Sequence, residues 1–356
     1  MLKDRLLAIQ TKAKERTVKT QNIEYDLETI VKKISRGIIK LNPDYQRKHR
    51  WTEEYSSKLI ESLILNIPVP LIYISQDIDV DDEVDDEVAR YSVIDGQQRL
   101  TAIYNFLTNE SALVGLEVLD DLNGLKYKEL PPFLIRRLEE RTIRCLRIDS
   151  TIDNQVKYDI FERLNSGSVK LEPQELRNAT CRGPFKDLIK VLIKNQSFIN
   201  ATSLSENRIE KMEDEELVLR YFALSYDDGY KSYKGGFKKF LTTQMTDFNK
   251  LDSQQLELMK ENFIRSFKIL EDSNIHLPFA KFRSENGELI NMSNFNVAVY
   301  DSLIVPLSKM KSSSIVNIDD FRALSHNPDY FRAIEGSTND ASKVHLRIDK
   351  AIEALL

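Results

Sequence analysis

Asp95-Gly96-Gln97-Gln98-Arg99 brings together a carboxylate, a glycine, two amides and a guanidinium in consecutive positions. Such a set suits an anion. Arg99 offers a planar fork of donors, and glycine lets a ligand approach the backbone closely. The residues on either side say where the turn sits. Tyr91 to Ile94 is β-branched and aromatic, which reads as a strand. Leu100, Ile103, Tyr104 and Leu107 recur at helical spacing, so a helix follows at once. The first amides of a helix lack intrahelical partners, and the helix dipole adds positive potential there. A phosphate cradle fits this arrangement; so does an ordinary strand-to-helix turn with Asp95 as N-cap.

The elements that must carry this turn can be read in order. Asn22 to Asp26 is a short strand, and Leu27, Ile30, Val31 and Ile34 form a helix that Gly37 can stop. Ile38 to Leu41 is a second strand, running into a basic loop, Asn42 to Trp51. Thr52 can cap a helix carrying Leu59, Ile60, Leu63, Ile64 and Ile67, which Pro68 ends. Val69 to Ser75 is a strand covered on both faces. Residues 77–87 hold eight carboxylates without the spacing of a calcium loop, which reads as a solvated tip between strands. Asn123-Gly124 signals a hairpin within 113–127. A helix through Glu140, a strand from Ile143 to Ile148 and a helix bearing Val156, Ile160, Phe161 and Leu164 complete this half.

From about residue 184 the apolar period is helical, near 184–195, 206–226, 231–246 and 253–272, the last with Ser253 as cap. Phe295 to Leu307 and Lys343 to Leu356 are further helices. The fold class is thus an α/β N-terminal domain followed by an all-α C-terminal domain. The divisions are a basic extension over 1–20, a mixed domain over 21–180 that carries the Asp95–Arg99 turn, and a helical domain over 181–356, with Gly183-Pro184 at the join.

Composition narrows the class. The chain has 356 residues, 41% hydrophobic and 30% charged, with a formal net charge of −5. That balance speaks against a general nucleic-acid binder, so any DNA contact must come from local patches. Cys145 and Cys181 have no CxxC partner and read as reduced structural cysteines. Four scattered histidines do not make a zinc site. No apolar run approaches membrane length, no signal peptide opens the chain, and a cytoplasmic location with no membrane partner is expected.

Three stretches in register resemble one family. They are Asn42-Pro-Asp-Tyr-Gln-Arg…Trp51, Ile94-Asp-Gly-Gln-Gln-Arg-Leu-Thr101 and Phe161-Glu-Arg-Leu-Asn-Ser-Gly…Leu171…Glu175-Leu-Arg-Asn178. Together they are similar to the domain in the S half of GmrSD modification-dependent restriction systems, which also forms the N-terminal part of the phosphorothioation-sensing defence protein SspE. The resemblance covers about residues 20–180. It implies a ParB/sulfiredoxin-like fold in which a Gly-x-x-Arg turn at a helix start binds nucleotide phosphates. It further implies nucleotide binding and hydrolysis coupled to DNA processing in antiphage defence. Two-part members add a His-Asn-His nuclease domain. Here His276 has no second histidine or acidic partner at suitable spacing, so nuclease activity is expected from the N-terminal domain or from a partner protein.

On this reading Arg99 pairs with phosphate, while Gly96, Gln97 and Gln98 supply amide donors and Gln98 positions water. Asp95 binds Mg²⁺ or orients an attacking water, unless it only caps the helix. Gln46 and Arg47 contact phosphate or bridge to Asp44. Lys48 and Arg50, with His49, extend a patch that can meet a DNA backbone. Trp51 is read as an apolar anchor. Arg163 and Asn165 reach the triphosphate, and Glu162 and Glu175 are weaker carboxylate candidates. The best-fitting activity is a nucleoside triphosphatase gating a DNA-directed response. A metal-dependent DNA nickase using Asp95, or a nucleotide- or DNA-sensing module that recruits an effector, uses the same residues. Self-association is compatible with all three.

Overall fold

The computed structural model describes residues 19–41, 51–76, 91–149, 154–164 and 172–356. Two compact units emerge, residues 1–171 and 172–356. The first holds β1 (Thr20–Asp26), α1 (Leu27–Ser35), β2 (Ile39–Lys40), α2 (Glu53–Ile64), β3 (Ile72–Gln76), β4 (Tyr91–Asp95), α3 (Gln97–Leu107), α4 (Pro132–Glu139), β5 (Thr142–Ile148) and α5 (Asn154–Leu164).

The strands form one mixed sheet in the order β1-β5-β3-β4-β2. β1 pairs antiparallel with β5, and β3 lies parallel to β5 but antiparallel to β4. β2 runs parallel to β4, with Ile39 opposite Tyr91 and Lys40 opposite Ser92. Local signals start the helices where the sequence suggests. Asp26 accepts from the Thr29 amide at 2.6 Å, and Thr52 accepts from the Tyr55 amide at 3.3 Å. Leu27 and Ile30, Leu59 to Ile64, and Leu100, Ile103 and Phe106 then share one core with Ile72, Ile74 and Val93. Each such side chain, fully buried, stabilises the unit by roughly 1.5–3 kcal/mol.

The hairpin expected within 113–127 does not form. The segment instead holds two short 3₁₀ turns, at Asp120–Leu122 and Tyr127–Glu129, and a single bridge between Ala112 and Lys126. Asn123 takes φ −57°, and its side chain accepts from the Leu116 amide at 2.9 Å. A two-residue hairpin turn of the favoured kind needs positive φ at both central residues.

The second unit comprises α6 (Pro173–Thr180), α7 (Pro184–Leu192), α8 (Gln196–Thr202), α9 (Glu206–Glu210), α10 (Glu213–Ser225), α11 (Phe237–Phe248), α12 (Ser253–Asp272), β6 (Lys281–Glu285), β7 (Glu288–Ser293), α13 (Val297–Lys309), α14 (Ile318–Ala323), α15 (Pro328–Ala333) and α16 (Ala341–Leu355). Its helical character matches the sequence reading, with three local differences. The helix expected over 206–226 breaks at Met212, which sits at φ 54°. The cap of α12 is Asp252, which exchanges hydrogen bonds with Gln255, rather than Ser253. β6 and β7 form an antiparallel hairpin through Asn286 and Gly287, both at positive φ.

Rings fill the core of this unit. Phe185, Phe198, Tyr221, Phe222, Phe263 and Phe267 meet edge-on or tilted. A charge chain runs beside them, from Arg177 on α6 through Glu216 and Arg220 on α10 to Asp301 on α13 and Arg347 on α16. Among the described residues no helix is long and apolar enough to cross a membrane.

Candidate functional site

β4 ends at Asp95, and α3 starts at Gln97, so Gly96 alone makes the turn. Its φ of 98° is left-handed, a conformation open to glycine. A Cβ there would lie 2.3 Å from Ile72 Cδ1 and 3.3 Å from Arg99 Nη2. The space that glycine leaves is therefore occupied by β3 and by Arg99. It serves the packing of the turn on the sheet rather than the approach of an anion from this side.

Arg99 points inward. Its Nη1 donates to the Pro70 carbonyl at 2.5 Å and to the Leu71 carbonyl at 3.1 Å, and its Nη2 donates to Asp95 Oδ2 at 2.9 Å. The guanidinium thus ties the entry of β3 to the exit of β4. Burial pushes its pKa down, against the opposing pull of Asp95; an arginine stays cationic all the same. Tyr73 pairs with Asp95 across the two strands, and the ladder shifts register between Tyr73 and Ile74. The extra residue is Ile94 on β4, so the irregularity lies on the strand that leads directly into the turn. Beneath, Cys145 on β5 is 1% exposed, and burial pushes its thiol up to about 12 while Arg99 pulls the other way. It is inert at neutral pH.

Asp95 does not cap α3, because Gly96 holds the N-cap position and has no side chain to offer. The Asp95 carboxylate instead pairs with Arg99 and remains half-exposed. Among the described residues Oδ1 accepts no hydrogen bond. No acidic residue stands in the first turn of α3. Gln97 is buried and Gln98 half-buried on that turn.

The companion motifs are placed in part. β2 delivers the chain to residue 41 at the same end of the sheet as Asp95, because β2 and β4 are parallel neighbours. Gln46, Arg47, Lys48, His49 and Arg50 lie outside the described residues, as does Asn165. Trp51 packs against the core, as expected of an anchor. α5 packs on β4 and buries Tyr158 and Phe161, while Arg163 is exposed on its last turn and makes no hydrogen bond to the turn at Gly96. Glu162 is exposed. Glu175 lies on α6 in the helical unit, where its carboxylate accepts from the Glu172 amide at 2.6 Å and closes a capping box. Arg177 and Asn178, from the same motif, bond to Glu216 and Glu215 on α10. That part of the third motif holds helices together.

Sequence reasoning missed Lys157, 9% exposed on α5 and with no ion pair among the described residues. Its signal was its place between Val156 and Tyr158, on a helix whose next turn carries Phe161. The carbonyls of Pro70 and Leu71 were also missed, because backbone acceptors leave no mark in residue types. Among the described residues no group of three or more His, Cys, Asp or Glu is placed to hold a metal ion.

The family described as the GmrSD restriction endonuclease N-terminal domain matches residues 27–181. No curated protein matches the chain. The matched span contains the whole Asp95–Arg99 turn, both strands that Arg99 joins and helix α6. Residues 27–181 thus resemble the GmrSD N-terminal domain, a match that points to restriction and antiphage defence.

Proposed function

We propose that the start of α3 binds the phosphates of a nucleoside triphosphate, and that hydrolysis of this nucleotide gates a DNA-directed restriction response. The observation that carries the reading is the N-terminus of α3. It opens at a glycine cap, with no carboxylate in its first turn, at the carboxyl end of the parallel β2–β4 pair. In open α/β sheets that crevice is where ligands bind, and helix amides with the dipole behind them favour an anion.

Each residue then has a task. The amides of residues 97–99 hold phosphate oxygens, and Gln98 orients the attacking water. Arg99 acts from below: it fixes the turn through Pro70, Leu71 and Asp95 and adds positive potential without leaving the protein interior. Gln46, Arg47, Arg163 and Asn165 are the further phosphate contacts of this proposal, and Lys48 and Arg50 its DNA contacts. Mg²⁺ commonly binds through one or two carboxylates plus substrate phosphates. Asp95, with one oxygen on Arg99 and the other accepting no bond among the described residues, fits as that single protein ligand. The ion would supply charge neutralisation at the transferring phosphoryl group.

Gln98→Glu tests the reading. A carboxylate in the first turn suits the helix dipole, so stability should hold or rise by about 0.3–1 kcal/mol. The same charge repels phosphate, and nucleotide affinity should fall by at least tenfold. Unchanged affinity for all four triphosphates in the folded variant overturns the proposal. Phosphate release by the parent, with and without DNA, separates an enzyme from a sensor: binding with no release under either condition makes the domain a nucleotide-responsive recruiter.

A further inference from the structure

Helix α4 buries Leu134 and Leu138 and turns Phe133, Arg136, Arg137 and Glu140 outward. Those four positions follow i, i+3, i+4, i+7, a single stripe on the helix. The stripe and Arg141 form one wall of an open cleft of about 480 Å³, whose other wall is the end of α2, at Leu63, Leu65 and Asn66. We propose that this cleft binds single-stranded DNA, with a base stacked on Phe133 and the adjoining phosphates on Arg136 and Arg137.

Charge is the first argument. Three arginines face one glutamate in the cleft, and none of the three makes an ion pair among the described residues. The neighbouring Glu139 is engaged elsewhere, accepting from the Tyr127 hydroxyl at 3.0 Å. Arginines near a helix C-terminus can be explained by the carbonyls there. Here that explanation covers little. Arg137 reaches the Ile64 carbonyl and Arg141 the Ile67 carbonyl at 3.5 Å each, the far limit of a hydrogen bond. Arg136 reaches neither, and the buried Nε of Arg141 has no partner. Most of the guanidinium donors therefore have no protein acceptor among the described residues.

Phe133 is the second argument. It is 58% exposed on a helix with ample apolar surface to bury elsewhere. An exposed ring on the rim of an arginine-lined groove is the pairing that reads single strands, because every base has a face to stack. Duplex DNA offers phosphates but no free base face, so Phe133 would contribute nothing to it.

The inference rests on the DNA-directed part of the proposed function and not on nucleotide binding at Gly96. The test is binding of a fluorescent single-stranded oligonucleotide to the full chain, in a salt titration, for the parent, Arg136→Ala/Arg137→Ala and Phe133→Ala. All three side chains are exposed, so folding should survive; circular dichroism and nucleotide affinity serve as controls. The double arginine variant should lose at least tenfold in affinity, and its salt slope should fall by about 1.4, two released single-strand contacts. Phe133→Ala should lose about five- to a hundredfold on the single strand and nothing on a duplex of the same sequence. No single-strand binding by the parent, or an unchanged affinity and slope in the double variant, overturns the proposal. So does a Phe133→Ala variant that binds the single strand as the parent does. If nucleotide binding at the turn fails its own test while these losses appear, only the earlier reading falls.

Discussion

At the scale of single residues, the turn depends on one glycine and one arginine that need each other. Gly96 is compelled twice, by its left-handed φ of 98° and by Ile72 Cδ1, which stands 2.3 Å from where a Cβ would be. Gly96→Ala should therefore cost roughly 1–3 kcal/mol of unfolding free energy. Adding Ile72→Val removes the clashing atom while leaving the φ penalty, so the double variant should recover part of that loss. A urea series on both proteins checks this, and no recovery would mean that the backbone conformation accounts for the whole cost. Arg99 is the less replaceable partner. Lysine can keep the charge but cannot reach two carbonyls and a carboxylate with one planar group.

At the scale of elements, the meeting of α6 with α10 sets the acid response of the helical unit. Burial raises the Glu215 pKa above its usual 4.5, with Asn178 hydrogen-bonding against that rise and Asp214 adding to it. Glu216 also suffers burial, but Arg220 and Arg177 overcome it and hold the group below 4.5. The two have opposite consequences. Glu215 takes up its proton more readily folded than unfolded, so its contribution is present below the ordinary range and lost as pH rises through its raised value. Glu216 contributes above the ordinary range and loses that contribution as pH falls through its depressed value. Stability should thus pass through a maximum on the acid side of neutrality. Glu215→Gln, neutral at every pH and able to keep a bond to Asn178, should flatten the decline on the alkaline side of that maximum and leave the acid limb alone. Denaturant midpoints across pH 4 to 8, on the order of the carboxylate range and above it, check the sign; a parallel shift of the whole curve would show that Glu215 does not titrate in this window.

At the scale of the whole molecule, the chain is two compact units that divide between residues 171 and 172. α6 goes with the second unit, because Arg177 and Asn178 bond to α10. The family match nonetheless extends to residue 181 and so carries α6 with it. We therefore expect limited proteolysis to leave a stable C-terminal fragment beginning between 165 and 172, with α6 retained. A stable fragment beginning at 181–184, at Gly183-Pro184, would show instead that α6 belongs to the N-terminal half.

By itself the sequence determined the turn, the strand before it, the helix after it, and most helix starts. Those features are local: a capping hydroxyl at Thr52, a carboxylate at Asp26, an apolar period from Leu100 to Leu107. Only the tertiary structure decided where Arg99 points, because its partners at Pro70 and Leu71 lie 29 and 28 residues away and are backbone atoms. It also decided between two Asn-Gly pairs. At Asn123-Gly124 the asparagine side chain is drawn to Leu116, and φ stays negative, so no hairpin forms. At Asn286-Gly287, which the helical reading of that half passed over, both residues take positive φ and the flanking strands pair. The same dipeptide permits either outcome, and what the neighbouring chain offers for hydrogen bonding chooses between them.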